Sequence, residues 1–328
     1  MALTGGRNYP DLRKPLQKIM ISNINNNLVL PNFLILGAAR AGTTSLYYYL
    51  RQHPEVFMSP IKEVNFFAYD ISYMEQLTNL GEHDFPIKTI TDYQKLFKPG
   101  KDSKAIGEAS PRYLWHPSAP KKIQQMIPDA KFIVILRNPI QRAFSSYLMY
   151  FNQGREKRSF RQAIEEEIQL SQSGKWPLGQ MTYVGQGFYT KHLENYFHYF
   201  QRDQFQIILY EDYKVDLPGT LHQIFRFLGV SEDVASFDSL PRHNVSGLPK
   251  NKVIDFLLKP RKFTKTIRRY IPKKIHDPVF YYFMSVKERN MMKTDMEPHV
   301  RRKLIGIYRD DVLKLQNLLA RDLSHWLI

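Results

Sequence analysis

Apolar residues fall in short runs separated by polar turns, and the runs alternate between strand-like and helix-like spacing along most of the chain. Leu34–Leu36 is continuously apolar and predicts a strand. Thr44–Gln52 predicts a helix, stopped at His53-Pro54. Val56–Met58 and Ala105–Gly107 read as short strands, and Asp92–Leu96 and Pro120–Met126 as helices. Lys131–Leu136, Lys-Phe-Ile-Val-Ile-Leu, is the strongest strand signal, and its near-continuous apolar run predicts burial on both faces, as in a parallel sheet. Pro139–Tyr150 predicts a helix with proline in its first turn. Phe188–Phe200 reads as a helix, Phe205–Leu209 as a strand, and Leu217–Leu228 and Arg301–Trp326 as helices. Strands alternating with helices predict βαβ units and an α/β fold with a central, mainly parallel sheet flanked by helices. Residues 1–30 read as an extension and 31–328 as a single domain. Within it, the polar, weakly patterned stretch 152–182 reads as an insertion over the site.

The first strand runs into Gly37-Ala38-Ala39-Arg40-Ala41-Gly42-Thr43-Thr44-Ser45. A tight glycine turn between a strand and a helix aims backbone N–H groups and a helix N-terminus at one point, which suits a phosphate. The spacing of Gly37 and Gly42 matches a Walker A loop, but Thr43 stands where that loop carries its lysine, and the cation sits within the turn at Arg40. The fold expected is therefore three-layered and P-loop-like, with a loop unsuited to gripping a nucleoside triphosphate and Mg²⁺. Taken alone, the stretch also fits an ordinary strand-to-helix turn.

A second constellation follows the strand ending at Leu136: Arg137-Asn138-Pro139, then Arg142 and Ser145. Arg137 falls at the C-terminal edge of a strand, where open parallel sheets bind ligands, and its planar fork suits a phosphate. With the Ser145 hydroxyl it makes a second anion site, separate from the first; a structural ion pair is the other reading of Arg137. Two such sites predict a ligand with two separated phosphate groups, as in a 3′-phosphorylated nucleotide bearing a 5′-phosphoester.

Charge adds to this picture. The 328 residues carry a formal net charge of +16, and Lys250–Lys274 holds ten of the Lys and Arg against one acid, Asp255. That stretch is a candidate substrate-side insertion facing an anionic ligand, or a solvated cationic face. There is no cysteine, so disulfides, thiolate metal sites and cysteine nucleophiles are excluded. No run approaches the ~20 apolar residues of a membrane span, and no secretory segment is evident at the N-terminus. No His-rich or carboxylate-rich spacing suggests a metal site.

These motifs resemble the sulfotransferases that use 3′-phosphoadenylyl sulfate (PAPS). Gly37 to Leu46 is similar to the family's 5′-phosphosulfate loop, and Arg137 through Ser145 to its 3′-phosphate motif. Lys62-Glu63-Val64-Asn65-Phe66-Phe67 and Gly107-Glu108-Ala109-Ser110-Pro111-Arg112-Tyr113 resemble segments of the heparan-sulfate-type branch, and Tyr210-Glu211-Asp212 and Phe227-Leu228-Gly229-Val230 also fit. The resemblance implies PAPS as sulfuryl donor, held by Arg40, Ala41, Gly42, Thr43, Thr44, Ser45, Arg137 and Ser145, without a metal. It implies Glu63 as the base that deprotonates the acceptor, with Arg40 and Lys62 balancing charge; a salt bridge is the other reading of Glu63, and His116 is the runner-up base. The acceptor implied is a hydroxyl or amine, with an anionic glycan one candidate, and no nucleic acid is expected. Three departures stand out. The loop cation is Arg40 where lysine is usual, Ala109 replaces a lysine of some relatives with Arg112 nearby, and the anchor and disulfide of Golgi members are absent, which predicts a soluble, cytoplasmic, bacterial-like form. A P-loop kinase or NTPase and a non-catalytic polyanion-binding module are the alternatives.

Overall fold

The structure, a computed structural model, describes residues 28–69, 87–172, 182–233, 248–251, 286, 290–292 and 294–328. Most of the basic stretch 250–274, most of the extension 1–30 and the end of the 152–182 stretch lie outside them. Five strands form one sheet: β1 (Phe33–Gly37), β2 (Val56–Met58), β3 (Ala105–Ala109), β4 (Lys131–Leu136) and β5 (Phe205–Leu209). Their order is β2-β3-β1-β4-β5 and every pairing is parallel. Parallel strands covered on both faces lose all contact with water, which is why β1 and β4 read as unbroken apolar runs; Phe33 to Leu36 and Phe132 to Leu136 are fully buried.

Helices flank the sheet: α1 (Thr43–Leu50), α2 (Ile90–Lys95), α3 (Ala119–Met126), α4 (Pro139–Asn152), α5 (Phe160–Gln172), α6 (Tyr189–Phe197), α7 (Tyr210–Val215), α8 (Leu217–Leu228) and α9 (Pro298–Leu319). α4 starts as expected, with Pro139 at its first position and the Asn138 side chain accepting from the N–H groups of Ile140 and Gln141. The chain leaves β1 toward β2 on one side and reaches β4 on the other. Such a reversal opens a crevice beyond the C-terminal ends of the strands, here β1 and β4.

Three elements differ from expectation. The 152–182 stretch contains α5, whose packed side includes Phe160, Ala163 and Ile164 but also the buried carboxylate of Glu167, so its apolar stripe is interrupted. α7 follows β5 without a turn. α9 ends at Leu319, because Ala320 takes a left-handed conformation (φ 50°), and the chain then turns Trp326 into the core instead of continuing as helix.

Candidate active site

The β1–α1 turn is shaped by backbone that ordinary residues avoid. Arg40 has φ 70° and Gly42, the N-cap of α1, has φ 94° without a capping side chain. A Cβ on Gly42 would lie 3.0 Å from Cε1 of Tyr213, so glycine is required both by conformation and by space. The pairing of β1 with β4 slips between Ile35 and Gly37, and the Ala38 N–H still donates to the Ile135 carbonyl at 2.7 Å, which ties the start of the turn to β4. The first N–H groups of a helix lack partners within it, and with the helix dipole they favour an anion in front of Thr43, Thr44 and Ser45.

Arg40 reaches from this turn to α4. Its Nε donates to Ser145 Oγ at 3.1 Å, and its Nη1 lies 3.5 Å from Met149 Sδ. Burial lowers its pKa to about 10, with the neighbouring Arg137 pushing the same way, and it remains a cation at neutral pH. Arg137, at the end of β4, donates from Nη1 to the Arg40 carbonyl at 2.9 Å. Its guanidinium sits 4.8 Å from the centre of the Tyr210 ring, and its own carbonyl accepts from Tyr189 Oη at 2.8 Å. Its Nε is buried with no hydrogen-bond partner among the described residues. A buried guanidinium N–H left open is costly, and a phosphate oxygen is a fitting acceptor for it. The residues of the two expected anion sites are thus tied together: Arg40 bonds to Ser145, and Arg137 to Arg40. Arg142, by contrast, is fully buried and faces away, donating to Gln186 Oε1 at 3.3 Å and to the Tyr183 carbonyl.

A cavity of about 230 Å³ opens beside the turn. Its lining includes Arg40, Thr43 and Thr44 from the turn and α1, Glu63, Asn65 and Arg112 from the loops after β2 and β3, and Trp115, Met149, Tyr150, Arg155 and Gln186. Glu63 has φ 64° and lies half exposed, with its Oε1 2.5 Å from Lys62 Nζ. The Lys62 ammonium holds the Glu63 carboxyl below its ordinary pKa despite the opposing effect of burial, and Arg112 and Arg40 add to it. Glu63 is ion-paired, as one sequence reading expected, and it also lines the cavity.

His116 is not among the lining residues; it is buried, with Nδ1 3.2 Å from Ser118 Oγ. Among the described residues no group of three or more His, Asp or Glu could hold a metal, and no helix is long and apolar enough to cross a membrane. Asn65, Tyr150 and Gln186 carry no local signal; Gln186 is brought in by the bond from Arg142 and by Glu167, which accepts from the N–H groups of Tyr183, Val184 and Gly185 at 2.6–2.9 Å.

The chain belongs to the sulfotransferase family: the model of that family matches residues 31–233. Among named relatives, carbohydrate sulfotransferase 15 of Mus musculus is 28% identical over 249 residues, covering 61% of this chain and 44% of that protein. Heparan sulfate glucosamine 3-O-sulfotransferase 6 of Mus musculus is 29% identical over 206 residues, covering 62% of this chain and 54% of that protein. The chain thus matches about half the length of these relatives. The crystal structure of a sulfotransferase from Alicyclobacillus acidocaldarius superposes with a TM-score of 0.65 at 29% identity, over 90% of this chain and 98% of that one.

Proposed function

We propose that the protein transfers a sulfuryl group from PAPS to a hydroxyl or amine of an acceptor, with a carbohydrate the acceptor class favoured by the named relatives. The observation that carries the reading is the joined pair of cations at the ends of β1 and β4, Arg40 and Arg137, with a buried open N–H on the second. In this reading Arg137 and Ser145 hold the 3′-phosphate. Arg40 and the N-terminus of α1 neutralise charge on the 5′-phosphate oxygen as it leaves. The bond that forms joins the acceptor oxygen or nitrogen to sulfur, and the bond that breaks joins sulfur to the bridging phosphate oxygen, which keeps the electron pair. Glu63 takes the acceptor's proton, and Lys62 balances charge on the sulfuryl oxygens. Most of the catalysis then lies in positioning and in fixed charge. The cavity is smaller than the ~300–1,000 Å³ usual for a whole ligand, and so fits the reacting groups where donor and acceptor meet.

Calorimetry with adenosine 3′,5′-bisphosphate against AMP tests the nucleotide assignment. The bisphosphate is expected to bind more tightly, and Arg137→Ala to lose about ten- to a hundredfold of that preference, the worth of a hydrogen bond to a charged group. Equal binding of both nucleotides by the wild type would sink the assignment. Glu63→Gln is expected to keep bisphosphate affinity and lose transfer from radiolabelled PAPS to desulfated heparan or chondroitin chains. Retained transfer removes Glu63 as the base.

A further inference from the structure

Behind the cavity wall lies a buried carboxylate that the reaction scheme does not use. Glu108, on β3, is fully buried. Its Oε1 accepts from Tyr93 Oη at 2.7 Å and Tyr113 Oη at 2.8 Å, and its Oε2 accepts from Ser110 Oγ at 2.6 Å. Burial pushes the pKa of this carboxyl up, and the three hydroxyls aimed at it oppose that by favouring the ionised form, which accepts from all of them. A hydroxyl owns one proton, so a hydroxyl that gives it to Glu108 faces its other neighbours only as an acceptor. Ser110 Oγ accepts from the Asn65 N–H at 3.0 Å, and Tyr113 Oη from the Phe67 N–H at 3.4 Å.

Those two N–H groups belong to the loop that carries Glu63. The loop has no ladder of its own and holds two left-handed residues, Glu63 (φ 64°) and Asn65 (φ 54°), a backbone that persists only when its surroundings over-determine it. The Glu63 N–H is fixed by the Ala109 carbonyl at 2.9 Å, next in chain to Glu108. Phe66 stacks on Tyr93 with ring centres 4.4 Å apart, and Phe67 packs edge-on against Tyr93 and Tyr113. Tyr93 and Tyr113 therefore serve twice, as ring surfaces for the loop and as donors to Glu108. Asn65 is itself buried, lines the cavity, and leaves its Oδ1 without a partner among the described residues.

We propose that Glu108 is a positioning residue for the transfer: by fixing the direction of the Ser110 and Tyr113 hydroxyls it holds the 63–67 loop, and so places Glu63 and Asn65 at the acceptor end of the cavity. The proposal rests on the sulfotransfer reading above. Glutamine at 108 keeps the volume but brings a donor N–H₂ into a cluster of donors, so at least one hydroxyl must turn its proton elsewhere, and the direction in which it accepts from its loop N–H is no longer fixed.

The test compares wild type with Glu108→Gln, Ser110→Ala and Tyr113→Phe by three measurements. These are amide hydrogen exchange at Asn65 and Phe67, calorimetry with adenosine 3′,5′-bisphosphate, and the split of kcat from acceptor KM on desulfated heparan and chondroitin chains. Expected are faster exchange at the two loop amides, unchanged bisphosphate affinity, and kcat lower by about a hundredfold in Glu108→Gln, the cost of a misplacement near 1 Å. The two hydroxyl variants, which leave Glu108 in place, should show smaller changes in the same direction. Should Glu108→Gln fail to fold, the hydroxyl variants carry the test alone. Unchanged loop exchange in the variants that fold overturns the proposal, and so does faster exchange with an undiminished kcat. A wild type that binds the bisphosphate yet transfers to neither glycan counts against a carbohydrate acceptor. The exchange measurement then still decides whether Glu108 holds the loop.

Discussion

On the proposed reading, Lys62 sets the basicity of Glu63. With the ammonium 2.5 Å away, Glu63 is ionised at neutral pH and is a weak base. Charge gathering on the sulfuryl oxygens would draw Lys62 toward them, and the carboxylate would recover basicity at the moment a proton must be taken. The sign follows from which partner lowers the pKa. Removing the ammonium raises it toward 4.5, the ordinary value for this group, so the base becomes protonated and inactive at a higher pH. In Lys62→Met the acid limb of the kcat/KM profile should therefore move to higher pH, whatever happens to the absolute rate; a stationary limb would show that Lys62 does not set the basicity of Glu63. At this scale the sequence located Arg40 and Arg137 beyond the ends of two strands, because each follows an unbroken apolar run. It was silent on Asn65 and Gln186, which are unremarkable amides until distant segments bring them to the cavity wall.

Among the elements, the β1–α1 turn leaves little room for change. An L-residue at the φ of Gly42 costs about 1–2 kcal/mol, and its Cβ would press on Tyr213. Gly42→Ala should lower stability by that amount in urea unfolding and weaken bisphosphate binding in calorimetry. A variant unchanged in both would mean that the turn's conformation is not what binds. β4 was readable end to end because burial on both faces leaves an unbroken apolar signature. α5 was not, because one position on its packed side is a glutamate serving three backbone N–H groups, and hydrophobic periodicity cannot register a buried polar group of that kind. The early end of α9 escaped for a similar reason: Ala320, a strong helix former, sits where a glycine would have announced the stop.

Across the whole molecule, buried carboxylates fasten the segments that close over the sheet. Glu156 accepts from the N–H groups of Lys157 and Arg158, from the Arg158 guanidinium and from Tyr183 Oη. Burial pushes its pKa up, but the bonds from Arg158 and Tyr183 outweigh it and hold the group at about 2. A folded-state value below the ordinary 4.5 contributes stability above that pH and withdraws it as the pH falls toward 2. Glu156→Gln should thus be less stable than wild type at pH 7 and lose less further stability between about pH 5 and 3, read as urea midpoints. Parallel slopes would remove Glu156 from the acid response. The order of elements was legible at this scale because each βαβ unit announces itself locally. The meeting of loops was not, because it depends on which strand ends the sheet order sets side by side. One bond between such ends, from Arg137 to the Arg40 carbonyl, joins residues 97 positions apart. It makes the two loops a single ruler. On the proposed reading, a ligand is chosen by the distance between its two anions, which the ribose that carries them fixes, before anything else about it is felt.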